Sequence, residues 1–240
     1  MHKDNAVVLP KVVTMGLHSS ASTWVFNVIR ELLIVTHGEE RVVSYYTEDA
    51  PQASTFHDNC LVLKSHHGSE SLNRWIECVN PILFLSIRDP RDAALSMSQR
   101  FDVPLSITAQ WVSNDFRQLI KFSSRNYPLL RYEDSFFNNP QTLIDMASLL
   151  NCSIGNQSLD FIFNTYTTDS VRKFVNDIAS LPDERVRPHG GGRLVDVVTN
   201  YNSRHIGDGR SGKWRDLPQS EQDALTRKFE SILKVFNYPL

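Results

Sequence analysis

The sequence has few cysteines, no long hydrophobic run and no large excess of charge of either sign. Its three cysteines, Cys60, Cys78 and Cys152, form no CxxC pair, which favours free thiols in a reducing compartment. The longest apolar runs, such as residues 82–85, are too short to cross a bilayer. No apolar segment of signal-peptide type occurs within residues 1–10, so we expect a cytoplasmic protein without stable membrane insertion.

The charges nearly balance over the whole chain. The net charge is −2 with histidine neutral and the pI is about 6.4, so neither nucleic acid nor an anionic membrane is expected as a partner. A binding site for an anion must therefore be built locally. With 240 residues, 41% of them hydrophobic, the chain can bury a core, and we predict one domain over residues 1–240.

Strand-like and helix-like segments alternate along the chain. Short β-prone runs occur at residues 12–15, 60–64, 81–87 and 128–132. Helical apolar spacing begins at Trp24 and after Asp89–Pro90, and it covers residues 71–79, 107–123, 141–150 and 220–236. The alternation predicts an α/β fold with a central, mostly parallel sheet flanked by helices. Residues 181–212 are rich in proline and glycine, so we predict an irregular gating segment there.

A loop suited to binding phosphate follows the first predicted strand. The strand ends at Gly16, and small hydroxyl residues lead from Ser19 to Thr23 into a helix. Backbone N–H groups and the helix dipole favour an anion at such a helix start. The loop lacks the lysine of the pattern GxxxxGK[ST], and an ordinary turn capped by serine is the alternative.

A second candidate anion site follows the strand at residues 81–87. Arg88 would lie at the carboxyl end of that strand, where parallel sheets bind ligands, and Ser96 would lie two turns along the next helix. A guanidinium and a hydroxyl could together hold one phosphate. The alternative is that Arg88 pairs with Asp92 while Ser96 faces solvent.

Five short motifs, in this order, resemble those of the sulfotransferases that use 3′-phosphoadenosine 5′-phosphosulfate (PAPS). They are HSSASTW at residues 18–24, KSH at 64–66, RDPRDAALS at 88–96, LRYED at 130–134 and GRSGKWR at 209–215. Each motif alone is weak, but five in the family's order are specific. The resemblance implies a P-loop-like sulfotransferase architecture. It also implies a sulfuryl acceptor with a hydroxyl or amine on a small molecule, lipid or carbohydrate, the product 3′-phosphoadenosine 5′-phosphate (PAP), and no metal.

The resemblance assigns roles to individual residues. Residues expected to hold the 5′-phosphosulfate are Ser19, Ser20, Ala21, Ser22 and Thr23. Residues expected to contact adenine are Trp24 and Tyr132, and those expected at the 3′-phosphate are Arg88, Ser96, Gly209, Arg210 and Ser211. His66 would be the general base, because an imidazole with a pKa near neutrality suits that task, and Lys64 would support the transferring group.

The chain departs from the family pattern at two loop positions. Ser19 stands where the family has a Lys or Arg that neutralises the leaving group, and the adjacent His18 could supply that charge if it is protonated. Ala21 replaces a glycine, so we expect the loop to avoid a positive φ at this residue.

These departures keep several interpretations open. The chain could be a nucleotide-binding protein of low or no activity, and a magnesium-dependent phosphotransferase is a less favoured alternative. His67 could replace His66 as the base. The acceptor pocket is expected to form from residues 98–112 and the glycine-rich region near Gly190, while the sequence leaves the oligomeric state open.

Overall fold

A parallel sheet forms the centre of the fold. The computed structural model describes residues 9–52, 58–123, 125 and 127–240. Its sheet strands are β1 (Lys11–Gly16), β2 (Val42–Tyr46), β3 (Cys60–Ser65), β4 (Ile82–Ile87) and β5 (Leu129–Arg131). They pair in the order β2-β3-β1-β4-β5, and each pair is parallel. The predicted sheet is therefore confirmed, although β2 was not foreseen.

Helices cover both faces of this sheet. They are α1 (Ser22–His37), α2 (Glu70–Val79), α3 (Pro90–Phe101), α4 (Leu105–Ser123), α5 (Pro140–Leu149), α6 (Asn156–Thr165), α7 (Thr168–Asn176) and α8 (Gln219–Val235). Successive side chains of a strand point to opposite faces, so Val13 and Met15 pack with α2, α3, α4 and α8. Val12 packs on the other face with α1, α5, α6 and α7. Among the described helices, none is long and apolar enough to cross a membrane.

The segment predicted to be irregular contains regular structure. Residues 186–196 form an antiparallel hairpin of β6 (Val186–His189) and β7 (Arg193–Asp196). Gly191 and Gly192, at φ of 74° and 68°, make the turn between these strands. The prediction of irregularity was wrong here because proline and glycine limit long elements and still permit a short hairpin. Residues 197–212 are irregular, as expected.

A buried arginine joins α3 to the C-terminal part of the chain. The Arg91 side chain is fully buried, and its guanidinium donates from Nε and Nη2 to the two carboxylate oxygens of Asp89 at 3.0 and 2.8 Å. It also donates to the Pro239 carbonyl at 2.7 Å and lies 3.6 Å from the centre of the Trp214 ring. As predicted, Asp89 caps α3 by accepting from the backbone N–H of Arg91. One ion pair thus fixes both the start of α3 and the chain near Trp214.

We predict that Arg91→Met strongly destabilises the fold. It leaves the Asp89 carboxylate buried without its cation, and breaking a buried pair in this way costs about 3–5 kcal/mol. Urea unfolding measures the free energy of unfolding. The matched control is Arg172→Met, because Arg172 forms an exposed pair with Asp169, whose loss costs at most about 1 kcal/mol. Equal losses in the two variants would contradict the structural role of Arg91.

Candidate functional site

A cavity of about 1360 Å³ lies at the carboxyl edge of the sheet. It is lined by thirteen of the residues expected from the sequence, namely His18, Ser19, Ala21, Ser22, Thr23, Trp24, Lys64, His66, Arg88, Ser96, Tyr132, Gly209 and Ser211. Apart from Gly209 and Ser211, these residues lie at or after the carboxyl ends of β1, β3, β4 and β5, which meet at one edge because the strands are parallel. Ser20 and Arg210 were also expected there, but they do not line the cavity.

The loop between β1 and α1 turns sharply through left-handed backbone conformations. Ser19 has a φ of 64° and Ala21 a φ of 61°. The expectation that Ala21 would avoid a positive φ was wrong. The chain reverses into the helix at this residue, and α1 starts immediately after it without a side-chain cap. For a residue other than glycine this conformation costs roughly 1–2 kcal/mol. The start of α1 presents Ser22 and Thr23 to the cavity, which is a geometry suited to an anion.

Ser20 stabilises the loop from inside. Its hydroxyl is fully buried, donates to the Leu17 carbonyl at 2.7 Å and lies 2.9 Å from the Ser86 hydroxyl. The expected direct contact between this hydroxyl and a phosphosulfate therefore needs correction. Gly16 makes the arrangement possible, because a Cβ at this position would lie 2.0 Å from the Ser86 Oγ.

Arg88 joins the loop to the C-terminal segment. This buried side chain donates to the carbonyls of Ser19 at 3.2 Å and Arg210 at 2.8 Å, and it lies 4.1 Å from the centre of the Tyr132 ring. The alternative pairing with Asp92 is not formed. Asp92 instead accepts from the backbone N–H groups of Gly212 and Trp214.

The segment after Gly209 closes over one side of the cavity. Tyr132 donates its hydroxyl to the Gly209 carbonyl at 3.1 Å. The Arg210 side chain pairs with Asp216 at the surface, so this residue contributes its backbone carbonyl and not a cation. The cation on this side is Lys213, which is buried, lines the cavity and donates to Gln99 at 2.8 Å.

Several polar atoms around the cavity have no hydrogen-bond partner among the described residues. They are Ser19 Oγ, Trp24 Nε1, Arg88 Nε and Asn200 Nδ2, and all four residues line the cavity. A buried polar group without a partner costs roughly 1–3 kcal/mol, so native structures normally satisfy it. This concentration of unpaired polar groups is what a site for a polar ligand requires.

The expected base and its neighbouring lysine are in direct contact. The Nε2 atom of His66 lies 2.7 Å from the Lys64 Nζ, and its Nδ1 lies 2.5 Å from the Gly16 carbonyl. The Nδ1–H group donates a hydrogen bond to this carbonyl, so the Nε2 atom carries the lone pair and is the basic site. Burial and the nearby His18 and Lys64 lower the pKa of His66 well below its usual value. Burial also lowers the pKa of Lys64 to about 7, against the opposing influence of Glu48 and Asp115.

A buried carboxylate holds the two flanking histidines. Asp115 Oδ2 lies 2.7 Å from His18 Nδ1, and Asp115 Oδ1 lies 2.8 Å from His67 Nδ1. Burial alone would raise the pKa of Asp115, but hydrogen bonding to His18 and His67 lowers it, and the same carboxylate raises the pKa of His67. The His18 ring stacks on His66 with centroids 3.8 Å apart. One possible ligand atom from each of His18, His67 and Asp115 lies within 4.8 Å of the other two, a spacing compatible with a divalent ion.

Glu48 anchors the turn that carries His66. Its carboxylate accepts from the Ser65 hydroxyl at 2.6 Å and from the backbone N–H groups of His66, His67 and Gly68 at 3.0, 2.9 and 2.5 Å. The Tyr46 hydroxyl also donates to it. Burial opposes ionisation, but these hydrogen bonds outweigh it and lower the pKa of Glu48.

Glu48, Asp115 and Lys213 were not among the site residues expected from the sequence. Asp115 did leave a signal, because it lies on the buried face of α4 with Val112, Phe116 and Leu119. A carboxylate on an apolar helix face requires a partner. Glu48 left no such signal, since it follows the unforeseen strand β2.

We predict that the stability of the protein falls as the pH is lowered from 7 to 5 and that His66 contributes to this fall. The unfolded chain takes up a proton on this histidine near pH 6.5, whereas the folded protein resists protonation. The loss approaches about 1.4 kcal/mol per pH unit over this window. Urea unfolding of His66→Asn should show a smaller pH slope, and the exposed His189→Asn is the control. Parallel slopes for wild type and His66→Asn would contradict a neutral, buried His66.

Comparisons with known proteins identify the fold. No protein-family model and no curated protein matches the sequence. The structure resembles mouse sulfotransferase SULT7A1 complexed with PAP, with a TM-score of 0.65, 12% identity and coverage of 95% of this chain and 85% of that chain. It also resembles retinol dehydratase in a complex with retinol and PAP, with a TM-score of 0.62, 14% identity and coverage of 98% and 84%. Retinol dehydratase in complex with androsterone and inactive cofactor PAP gives a TM-score of 0.58, 13% identity and coverage of 98% and 84%. The resemblance noted in the motifs is confirmed at the level of fold, and the chain has the α/β fold of the PAP-bound sulfotransferases.

Proposed function

We propose that this protein transfers a sulfuryl group from PAPS to a hydroxyl or amine of a small-molecule, lipid or carbohydrate acceptor, in the cytoplasm. The observation that carries the proposal is the group of unpaired polar atoms on Ser19, Trp24, Arg88 and Asn200 around one cavity. A ligand with phosphate, ribose and base groups supplies polar partners of the required kind. The PAP in the structural neighbours supports this choice of ligand.

The donor nucleotide would use both anion-binding regions of the cavity. The start of α1, with Ser22 and Thr23, would hold the 5′-phosphosulfate. Arg88, Ser96 and Lys213 would hold the 3′-phosphate, with Lys213 replacing the cation that Arg210 does not provide. Further contacts to the nucleotide are proposed for Trp24, Tyr132, Gly209 and Ser211.

His66 would act as the general base in an in-line displacement. PAPS supplies an activated sulfuryl group whose sulfur is attacked by the acceptor oxygen or nitrogen. A bond forms from that atom to sulfur, the bond from sulfur to the bridging phosphate oxygen breaks, and the acceptor proton passes to Nε2 of His66. The hydrogen bond from Nδ1 to the Gly16 carbonyl fixes the tautomer that this step needs.

Lys64 would exchange partners during the reaction. It contacts Nε2 of His66 at 2.7 Å, and this contact must open before the imidazole can accept a proton. An anionic sulfuryl oxygen favours the charged form of a nearby lysine whose pKa is about 7. We therefore propose that donor binding draws Lys64 toward the transferring group and frees Nε2.

Among the three classes of acceptor, we favour a small organic molecule. The two retinol dehydratase structures contain PAP together with retinol or androsterone. The proposal includes no metal, and the spacing of His18, His67 and Asp115 makes a test with a chelator necessary.

We predict that Arg88→Ala weakens PAP binding far more than binding of adenosine 5′-phosphate. Loss of a buried cation opposite a phosphate costs roughly 2–5 kcal/mol, which lowers the affinity for PAP at least about 30-fold. Adenosine 5′-phosphate lacks the 3′-phosphate, so its affinity should change less than about threefold. Isothermal titration calorimetry measures both ligands, with the exposed Arg74→Ala as control. Equal losses for both ligands would remove Arg88 from the 3′-phosphate site.

We predict that Ser19→Lys raises turnover about tenfold or more. A cation at this position would stabilise the charge that develops on the leaving phosphate, and single groups of this type contribute roughly 100-fold or more. Ser19 is already left-handed, so another unbranched side chain adds little backbone strain. Ser19→Gln controls for side-chain length, and all assays with labelled PAPS contain EDTA. A lower turnover for Ser19→Lys would show that His18 or another group provides the charge. A requirement for Mg²⁺ would favour phosphoryl transfer instead.

A further inference from the structure

A second cavity adjoins the first on the side of the flanking histidines. Its volume is about 800 Å³, and it lies between the end of α3, α4 and the turn of the β6–β7 hairpin. Six residues line both cavities, namely His18, Arg100, Phe101, His189, Arg193 and Arg204. We call this second space the basic cavity. Both segments expected to shape an acceptor pocket, residues 98–112 and the region near Gly190, contribute to it.

The basic cavity concentrates positive charge in a chain that is slightly acidic overall. Its lining contains Arg100, Arg117, Arg193 and Arg204, and among the described residues it contains no Asp or Glu. The whole chain has 25 Lys and Arg against 27 Asp and Glu, so four unaccompanied arginines in one wall depart from the average.

The described part of the chain offers these arginines no carboxylate partner. Arg100 donates to the His205 carbonyl at 2.8 Å, and Arg193 donates to the Gly190 carbonyl at 2.6 Å. Burial, together with Arg88 and Arg193, lowers the pKa of Arg100 to about 10. Such crowding of like charges is relieved by an anion that enters the cavity.

The carboxylate behind the His18 and His67 side of the cavity is already paired. Asp115 is fully buried behind His18 and His67, and each of its carboxylate oxygens is engaged with one of these rings. An anion from solvent or from a ligand would therefore find these arginines unpaired with any carboxylate of the described residues.

The rest of the lining is aromatic and apolar. The Phe101 and Trp111 rings lie 6.3 Å apart, and the Arg193 guanidinium lies 4.4 Å from the centre of the Phe101 ring. Met97 and Val103 complete this wall. Such a surface suits a flat or apolar body that carries an anionic group.

The basic cavity also lies beside the proposed reaction centre. His18 lines it and stacks on His66 with centroids 3.8 Å apart. A molecule held by its anionic group at Arg117 or Arg204 would extend its other end toward the His66 imidazole. This is the arrangement that an acceptor with a hydroxyl at one end and an anion at the other requires.

We infer that the acceptor is a small aromatic or apolar molecule with an anionic group, a carboxylate or a sulfate, which Arg117 and Arg204 bind in the basic cavity. This inference rests on the proposed sulfuryl transfer, because it assigns the acceptor of that reaction. Both arginines have exposed side chains at the cavity, so they can be changed without opening the core.

Calorimetry with matched phenols tests the inference. The probes are 4-hydroxyphenylacetate, 4-hydroxyphenyl sulfate and the neutral 4-hydroxyphenylacetamide, each titrated with and without PAP. We expect at least one anion to bind about tenfold more tightly than the amide, as two charge-assisted hydrogen bonds allow. The preference between carboxylate and sulfate identifies the anionic group.

Variants then assign the preference to the arginines. Arg117→Gln and the double variant Arg117→Gln with Arg204→Gln should both lower the affinity for the anion toward that of the amide. Amide and PAP binding should stay the same in Arg117→Gln, because Arg117 lines only the basic cavity, whereas Arg204 also lines the first cavity. Arg74→Gln is the control, because Arg74 is exposed, lines neither cavity and pairs with Glu70. Equal affinities for anion and amide, or a preference that survives the double variant, would overturn the inference.

The titration with PAP alone separates this inference from the proposed function. PAP binding without any preference for the anions would overturn the inference and leave the donor site intact. Absence of PAP binding would instead count against sulfuryl transfer, whatever the phenols do. Tighter binding of a sulfated oligosaccharide than of either phenol would also overturn the inference, because it assigns a larger carbohydrate acceptor.

Discussion

The close contact between the carboxyl ends of β1 and β4 fixes the geometry of the whole site. Gly16 lies so near Ser86 that a residue with a Cβ atom does not fit at this position. The backbone N–H of Leu17 also donates to the Ser86 carbonyl at 3.0 Å. The Ser20 hydroxyl adds a second connection to Ser86. Two residues after Ser86, Arg88 reaches back to the Ser19 carbonyl. The loop at the end of β1 and the arginine at the end of β4 are therefore held as one unit, and a change in either strand end would move both proposed anion-binding regions.

Two buried carboxylates give the histidines of this site different properties. Glu48 holds the backbone of His66 and does not contact its ring, whereas Asp115 contacts the rings of His18 and His67. The hydrogen bond to Asp115 raises the pKa of His67, while burial, with His18 and Lys64 nearby, lowers the pKa of His66. This difference favours His66 over His67 as the proposed base, because an unprotonated imidazole is needed at the start of the reaction. The neighbouring His67 is better suited to stabilise Asp115.

The local patterns in the sequence predicted the parallel sheet and most helices, since they depend on short-range periodicity and caps. Asp89 and Pro90, for example, start α3 as expected. The short strand β2 was missed because its few residues are stabilised by pairing with β3, and the hairpin was missed because its proline and glycines indicated irregular structure. The motifs located the cavity, but they did not show that Ser20 faces inward, that Arg210 points to solvent or that Ala21 is left-handed. Those details depend on contacts such as Ser20 with Ser86, which are 66 residues apart.

The effect of the missing loop cation depends on the other charges of the site. Ser19 has no charge of its own, but Lys64, Arg88 and Lys213 line the same cavity, and Arg100 lies where the two cavities meet. In a partly buried site such fixed cations act at close range and are weakly screened by solvent. Transition-state stabilisation needs positive charge near the departing phosphate and does not need it on one particular residue. Under the proposed function, the serine therefore removes one focused charge from a site that contains several other basic side chains. What a lysine would add at this position is proximity to the breaking bond.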